Sequence, residues 1–432
     1  MPRSMLILAL CFACGCETRS ALPAPKFKAA RCDDGAALSD SAAARHLEQL
    51  KAAEAEAAAA PQATDKRVAA ALGVGRDWVR LARTRGAPEF YLQARACAEQ
   101  ALALSPDDIG ATQLIGLTLL NDHRFAEARE LARTQLDRHP DDPLSWGTLS
   151  DAELELGHID AAIEAAQHMM DRKPNLPSYG RAAHLQWLRG DRQGAKLSYQ
   201  QAIAAGREHK DREPSAWMIT QAAWVFWHEG DYAGAAAGFD LALHEVPDYA
   251  PALEGRGRAA LAQGDLPGAI TRLGKALAAH PLVETAWALG DAYTLAGDRA
   301  SAASAYERAI ALGQSHDPRT LAQFYATKSR EPREALRLAR AAYAERQDIY
   351  SKDTLAFALY RNGELREALP LARAAIALGT PDARLLYHAG LIERAAGDRS
   401  RGDEFIAKAL ELNPRFDPLL TGAADDTATA KL

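Results

Sequence analysis

Glycine recurs along this chain at a nearly constant interval, and that interval constrains the fold more than any other feature. Most spacings are 33 or 34 residues, and the recurring residues are Gly157, Gly190, Gly230, Gly264, Gly297, Gly363 and Gly397. An amphipathic stretch precedes each glycine, and Asp, His or Glu usually follows it. A period in this range indicates an array of repeated units, each packed mainly on its neighbours.

Small residues and prolines keep the same period. The small residues are Ala94, Ala128, Ala162, Ala195, Ala235, Ala269, Ala302, Ala335, Ala368 and Gly402, and the prolines twelve positions after members of this set include Pro106, Pro140, Pro174, Pro247, Pro281 and Pro414. We expect each unit to contain two helices that approach closely at the small residue, a turn at the glycine, and a proline after the second helix. Strand-like runs of Val and Ile are missing, so the sequence predicts an all-α fold.

The units resemble the tetratricopeptide repeat in their period, in their helix lengths and in the positions of glycine and proline. The clearest copies span residues 216–249, 250–282, 283–315 and 383–416. The resemblance implies a right-handed superhelical solenoid of antiparallel helix pairs, with about ten repeats over residues 75–416. It also implies that the first helices of the units line a concave groove, which binds segments of other proteins or peptides.

The N-terminus carries a different pattern. Arg3 precedes an apolar run from Met5 to Ala13, and Cys14 and Gly15 separate this run from Cys16. The order resembles a bacterial lipoprotein signal peptide. The resemblance implies a signal peptide over residues 1–15, a lipid anchor on Cys16, and a location on the periplasmic face of a bacterial membrane. The alternative is cleavage at the same place without a lipid, which gives a soluble secreted or periplasmic protein.

The remaining segments flank the array. Residues 16–38 are predicted to be a polar tether, residues 39–74 an N-terminal helix and linker, and residues 417–432 a disordered tail with little to bury. Cys32 and Cys97 are the cysteines beyond the predicted signal and anchor. They could pair in an oxidising compartment, but Cys97 lies in a predicted helix, where the alternative is packing as a small apolar residue.

Charge and motifs exclude several functions. The net charge is −6, with both signs interspersed, so the sequence predicts no nucleic-acid partner. The metalloprotease, phosphate-loop, serine-hydrolase and dinucleotide-binding signatures are missing, and the twelve histidines are scattered. We therefore expect no enzyme activity, no cofactor and no metal site.

Aromatic residues mark a first candidate binding surface. In tetratricopeptide arrays, residues that face the groove lie about 13, 10, 6, 3 and 2 positions before each glycine. Before Gly230 and Gly190 this rule selects Trp217, Thr220, Trp224, Trp227 and His228, together with His184 and Trp187. Tryptophan is favoured at binding hot spots, so we predict an aromatic face that contacts a partner. The alternative is that these residues pack between neighbouring helices.

A second candidate surface lies in the last two units. Its residues are Tyr350, Asp353, Phe357, Tyr360 and Arg361, followed by Arg384, Tyr387 and Arg394. Aromatic and arginine side chains on one face favour an acidic or aromatic peptide. Ion pairs between units, such as Asp353 with an arginine of the next unit, are the alternative.

These features together predict a non-catalytic scaffold of the bacterial cell envelope, which binds partner segments in its groove. The alternative is a periplasmic binding protein that uses the tryptophan face for a small ligand or glycan. An enzyme is a third hypothesis, which no motif favours. An open groove favours the scaffold, whereas a closed pocket with several tryptophans favours the binding protein.

Overall fold

The computed structural model describes residues 30–33, 41–59, 64–85, 89–208, 210–315 and 317–420. Within these residues the regular structure is helical, as the sequence predicts. The predicted signal peptide and Cys16 lie outside the described residues. The helices are α1 (Ser41–Ala59), α2 (Thr64–Arg85), α3 (Phe90–Leu104), α4 (Ile109–Asn121), α5 (Phe125–Arg138), α6 (Pro143–Glu155), α7 (Ile159–Arg172), α8 (Leu176–Leu188), α9 (Arg192–Gly206), α10 (Glu213–His228), α11 (Tyr232–Glu245), α12 (Ala250–Ala262), α13 (Leu266–Ala279), α14 (Val283–Leu295), α15 (Arg299–Ser315), α16 (Pro318–Thr327), α17 (Pro332–Glu345), α18 (Ile349–Arg361), α19 (Leu365–Ile376), α20 (Ala383–Ala395) and α21 (Arg399–Leu412).

Helices α2 to α21 form consecutive antiparallel pairs, which we number as units 1 to 10 from α2–α3 to α20–α21. Each pair packs on the next, and this arrangement is the predicted solenoid of helix pairs. The predicted start of the array at residue 75 lies inside α2, so unit 1 begins at Thr64. Helix α1 packs on α2 ahead of the array.

Most units turn between their two helices in the same way. Gly230 ends α10 with a φ of 74°, in the left-handed region where glycine is favoured. Asp231 then caps α11, because its carboxylate accepts a hydrogen bond from the Gly234 backbone N–H at 2.8 Å. Unit 8 lacks the glycine, and Ser329 and Glu331 adopt positive φ there instead. The Gly-Asp pair thus stops one helix and starts the next.

The small residues lie where the two helices of a unit cross. Ala235 and Ala269 are fully buried, as the spacing predicts. In unit 10 a Cβ on Gly402 would lie 2.6 Å from the backbone oxygen of Gly390, so the backbones are in contact there. Large side chains such as Phe239 fill the space between successive units. The interior is therefore shared between neighbours along the whole array.

A disulfide joins Cys32 to Cys97. The expectation that Cys97 packs as a small apolar residue is thus incomplete, since the residue is both buried and bonded. The Trp78 indole N–H donates to the Cys32 backbone oxygen at 3.1 Å, which holds this segment against α2. Across the described part of the chain, no helix is both long and apolar enough to span a membrane.

Candidate functional site

The superhelix closes on itself, because the turns of units 3, 4 and 5 contact the segments that follow units 8, 9 and 10. At unit 3, the Gln347 backbone N–H donates to the Glu155 backbone oxygen at 2.9 Å, and the Arg346 guanidinium donates to the Glu155 carboxylate at 3.1 Å. At unit 4, the Thr380 hydroxyl donates to the Leu188 backbone oxygen at 2.5 Å. We call these contacts, with the one at unit 5, the seam.

The unit 5 contact is made by Asn413, which is fully buried after the end of α21. Its side-chain amide donates to the Trp227 backbone oxygen at 2.8 Å. Its side-chain oxygen accepts from the Tyr232 hydroxyl at 2.6 Å. Both hydrogen-bonding groups of one asparagine thus bind the turn of unit 5, at residues 181 and 186 positions away along the chain.

The turn glycines of these three units lie against backbone of the next superhelical turn. A Cβ on Gly157, Gly190 or Gly230 would lie 2.7, 2.8 or 3.0 Å from a backbone oxygen. The oxygens belong in that order to Gln347, Gly379 and Leu412. Glycine is therefore required at each position for two reasons, because φ is positive and because the backbone oxygen of the following segment leaves no room for a Cβ.

A buried aromatic cluster lies behind the seam. The His228 ring centroid is 4.9 Å from that of Trp187 and 5.2 Å from that of Trp227. Asp382, after unit 9, lies 3.8 Å from the His228 ring nitrogen. Burial lowers the pKa of His228, and Arg384 lowers it further against the opposing effect of Asp382. The imidazole is therefore largely neutral near pH 7.

First helices of units 5 to 10 surround a cavity of about 360 Å³, which we call the chamber. The segment after α21 completes its wall, and the seam contact between units 5 and 10 brings the two ends of this wall together. A volume of this size is typical of pockets for small ligands. The aromatic residues that line it are Trp224, Trp227, Trp287, Tyr350 and Phe416.

The structure separates the residues of the first candidate surface. Trp224, Trp227 and His228 line the chamber, whereas Trp187 is 6% exposed and lies in the cluster behind the seam. Trp217 is 41% exposed and lies in a different cavity. Thr220 does not border the face as expected, because it is fully buried and donates to the Ala216 backbone oxygen. The residues of this candidate surface therefore lie in three environments. On α10, Trp217 lies in one cavity and Trp224 in the other, because the helix runs past both.

The second candidate surface is mostly interior. Asp353 is 2% exposed, and its carboxylate lies 3.0 Å from the ring nitrogen of His388 in the next unit, so its partner is not the expected arginine. Phe357 stacks on the same ring at a centroid distance of 3.7 Å. Tyr360 lies beside Phe357, and Tyr387 packs on Phe416. Of the residues of this candidate surface, Tyr350 and Arg384 line the chamber.

Each acidic side chain of the chamber wall has a partner within the protein. Glu254 accepts from Arg258 and Thr285, Asp291 accepts from Lys328 at 2.7 Å and from Tyr306, and Asp382 caps α20 and lies beside His228. Glu284 accepts from the Thr320 hydroxyl at 3.1 Å. Burial and the neighbouring carboxylates raise the pKa of Glu284, which favours its neutral form.

The arginines of the chamber wall differ in their partners. Arg258 pairs with Glu254 at 3.0 Å, and Arg319 lies 3.7 Å from Asp348. Arg384 and Arg415 have no carboxylate within ion-pair distance among the residues that the structure describes. Arg384 instead faces the side-chain oxygen of Gln323, with the amide oriented to accept, and the ring of Tyr350. The Asp417 carboxylate of the same wall also has no ion pair among the described residues and accepts a hydrogen bond from the Leu419 backbone N–H, and Arg415 is exposed.

A second, larger cavity of about 1090 Å³ lies along the first helices of units 1 to 5. Leucines from α4, α6 and α8 line much of it, and Arg319 lines both cavities. Leu144 and Trp217 are exposed within it, at 43% and 41%. Within the described residues, no group of three His, Cys, Asp or Glu side chains could hold a metal ion.

The spacing rule that selected the tryptophans also selects chamber residues that we did not predict. Counted back from Gly297 it gives Glu284, Trp287 and Asp291, and counted back from Gly264 it gives Glu254 and Arg258. All five line the chamber. The signal was thus present in units 6 and 7, but it could be interpreted only once the superhelix was known to bring units 5 and 10 together.

Comparison with protein families identifies the repeats. The family model of the tetratricopeptide repeat matches residues 114–177, 255–317 and 354–414. The chain therefore carries tetratricopeptide repeats, in agreement with the sequence prediction and with the helix pairs of the structure. No curated protein sequence matches the chain.

Several solved structures resemble the chain. The human IFIT1 dimer with PPP-AAAA has a TM-score of 0.47 and 13% identity, over 88% of this chain and 92% of that chain. A monomeric IFIT1 mutant with Gppp-AAAA has a TM-score of 0.48 and 13% identity, over 85% and 87%. PilW, a widely conserved type IV pilus biogenesis factor, has a TM-score of 0.40 and 15% identity, over 50% of this chain and 94% of that chain.

Proposed function

We propose that this protein is a non-catalytic binding protein that holds a small ligand in the chamber of its closed superhelix. The observation that carries the proposal is the set of three tryptophans, Trp224, Trp227 and Trp287, around one cavity of about 360 Å³. A pocket of this volume that is lined by several tryptophans favours a small ligand.

The second candidate function is the scaffold, and the larger cavity supports it. Trp217 and Leu144 are exposed along this cavity, where a partner could cover them. An extended segment of another protein would lie along the first helices of units 1 to 5. The two functions use different cavities, so they can be tested separately.

The proposal includes export, with a lipid anchor on Cys16 that places the protein on the periplasmic face of a bacterial membrane. A soluble periplasmic or secreted form is the alternative. The N-terminal pattern supports export, and so does the Cys32–Cys97 disulfide, since disulfides persist mainly in oxidising compartments.

Membrane fractionation of cysteine variants tests the anchor. Cys16→Ala should move the protein from the membrane fraction to the soluble fraction, whereas the matched control Cys14→Ala should leave it at the membrane. A Cys16→Ala protein that stays in the membrane fraction would show that Cys16 is not the anchor.

Native mass spectrometry of the protein purified gently from its own membranes tests the chamber. We expect a bound small molecule in the wild type and in the control Trp146→Ala, whose indole lies outside both cavities and donates to the Pro140 backbone oxygen. Trp224→Ala should lose it, with folding checked by circular dichroism. A wild type without a small molecule, which instead retains a protein that Trp217→Ala releases, would favour the scaffold.

A further inference from the structure

The larger cavity lies inside a closed ring of units. The seam joins the Glu155 backbone oxygen of unit 3 to the Gln347 backbone N–H after unit 8, so units 3 to 8 complete one superhelical turn. Each of these six units contributes residues to the cavity wall, and units 1 and 2 extend the wall. A chain-like ligand therefore enters this cavity from an end of the ring, with its own free end first.

Aliphatic side chains form much of the wall of the larger cavity. Eight leucines line it, from α4, α6, α8 and the residue before α14, together with Met218 of α10. The chamber wall, in contrast, is mainly aromatic and charged. A wall of leucines favours a ligand that has hydrocarbon surface to remove from water.

The mouth of the larger cavity is apolar as well. Thirteen positions before the turn residue with positive φ, five successive units carry an uncharged residue that lines the cavity: Gly110, Leu144, Pro177, Trp217 and Pro251. Leu144 and Trp217 are 43% and 41% exposed at this row. An exposed apolar row that leads into a cavity is typical of an interaction site, since single exposed apolar residues are scattered elsewhere.

The charged side chains of this wall are balanced. The five arginines are Arg76, Arg83, Arg181, Arg319 and Arg346, and the four acidic residues are Asp151, Glu213, Asp317 and Glu345. The ion pairs are Arg181–Asp151 at 2.6 Å, Arg319–Asp348 at 3.7 Å and Arg346–Glu155 at 3.1 Å. Arg83 acts on Glu213, and Asp317 caps α16. Arg76 and Glu345 are exposed and opposite in sign, so charge selects neither an anion nor a cation.

We propose that the larger cavity binds a long aliphatic chain, such as the acyl chain of a fatty acid or of a membrane lipid, with its polar end at the mouth beside Leu144 and Trp217. The proposal goes beyond the ligand of the chamber, and it gives the larger cavity an occupant other than the protein segment of the scaffold. A chain of methylenes needs no hydrogen bonds from a leucine wall, whereas the backbone N–H and C=O groups of a buried peptide do.

A chain-length series tests the proposal on the folded protein. The Cys16→Ala form is used throughout, so that acyl chains on the proposed anchor cannot compete. Isothermal calorimetry with octanoate, decanoate and dodecanoate gives three dissociation constants. Each added methylene should tighten binding by about three- to fourfold, which is the effect of burying one methylene group. Binding that does not tighten with chain length, or no binding of any chain, would overturn the proposal.

Variants locate the bound chain. Leu117→Gln, in the wall, should weaken dodecanoate by about tenfold, and Leu144→Gln, at the mouth, by about threefold. Leu197→Gln is the matched control, because this leucine is 57% exposed on α9 and lines neither cavity. Trp224→Ala, in the chamber, should leave dodecanoate binding unchanged. Melting curves identify a variant that fails to fold, and the exposed position of Leu144 keeps the test available if Leu117→Gln does so.

The remaining outcomes separate this proposal from the function of the chamber and identify the source of the chain. Dodecanoate binding that Trp224→Ala abolishes and both leucine variants leave unchanged would place the chain in the chamber and overturn the proposal. Native mass spectrometry after incubation with dimyristoyl phosphatidylglycerol vesicles provides the second arm. A phospholipid adduct that Leu144→Gln reduces would assign a membrane lipid as the ligand, whereas binding of dodecanoate without such an adduct would assign a free fatty acid.

Discussion

Two groups of turns in this molecule share one sequence pattern and differ in what they contact. The seam turns of units 3, 4 and 5 lie against backbone of the next superhelical turn. The free turns of units 6, 7, 9 and 10 have glycines with φ between 77° and 105°, and a Cβ there would meet no described atom within 4 Å. The turn motif alone therefore does not close the superhelix. Closure depends on the segment that meets the turn several units later.

The residue three positions before the glycine reflects this difference only at some turns, since it is a buried Leu261 at the free turn of unit 6 and a partly buried Leu154 at the seam turn of unit 3. It is Trp187 or Trp227 at two seam turns, and both are buried. At two free turns it is Thr294, which is exposed, or Arg394, which is partly buried. An indole suits a turn that another part of the chain covers, whereas polar side chains suit a turn in contact with water.

Truncation of a seam tryptophan should have the largest effect on stability. Trp227→Ala removes a side chain that packs on Trp224 and His228, and we expect a loss of about 3–5 kcal/mol in the free energy of unfolding. Trp217→Ala, on the same helix but 41% exposed, should cost less than about 1 kcal/mol. Chemical denaturation of both variants measures the difference. Equal losses would mean that the seam adds nothing to packing at this position.

Alanine at matched turn glycines isolates the seam contact from backbone strain. Gly190→Ala and Gly363→Ala each place an alanine at positive φ, which costs about 1–2 kcal/mol in both. At Gly190 the methyl group would also lie 2.8 Å from the Gly379 backbone oxygen, and overpacking should add about 1–3 kcal/mol.

The difference between the two variants therefore measures the contribution of the seam contact, since the backbone strain is common to both. If Gly190→Ala and Gly363→Ala lower the melting temperature by the same amount, the seam is not closed in solution. A larger loss at Gly190, accompanied by weaker retention of a chamber ligand, would link closure to binding.

The local structure could be predicted from the sequence, because each unit is specified by residues within its own 34 or so positions. Turn glycines, N-cap aspartates and buried alanines such as Ala235 follow from local rules of helix termination and packing. The helix pairs therefore agree with the predicted period. The exceptions include unit 2, which turns with a positive φ at His123, and unit 8, whose turn uses positive φ at Ser329 and Glu331, both without glycine.

The site could be predicted only in part, because closure is a long-range property. Small rotations between units add up along the array, and no local pattern states that Asn413 will meet Trp227. The sequence therefore identified Trp224 and Tyr350 but could not say that they face one cavity. It also grouped Trp187 and Asp353 with the binding residues, although the former lies behind the seam and the latter pairs with His388.

The last effect that we expect is a pH dependence of stability that arises at the seam. Arg346 contacts both Glu155, in unit 3, and Asp348, at the start of α18. Burial raises the pKa of Glu155 from 4.5 to about 7, against the opposing effect of Arg346. Burial also acts to raise the pKa of Asp348, but Arg346 and Arg319 lower it below its ordinary value, which favours the ionised form.

The sign of the effect follows from proton linkage. Because the pKa of Glu155 is higher in the folded than in the unfolded chain, the folded protein holds more protons between about pH 4.5 and 7. The free energy of unfolding should therefore fall as pH rises through this window, by up to about 3 kcal/mol, and level off above it. Glu155→Gln should remove this slope, whereas Glu164→Gln, an exposed residue of the same unit, should keep it. Denaturant titrations of the three proteins at pH 5, 6, 7 and 8 measure the slopes, and a Glu155→Gln slope equal to that of the wild type would show that Glu155 is not protonated in the closed seam.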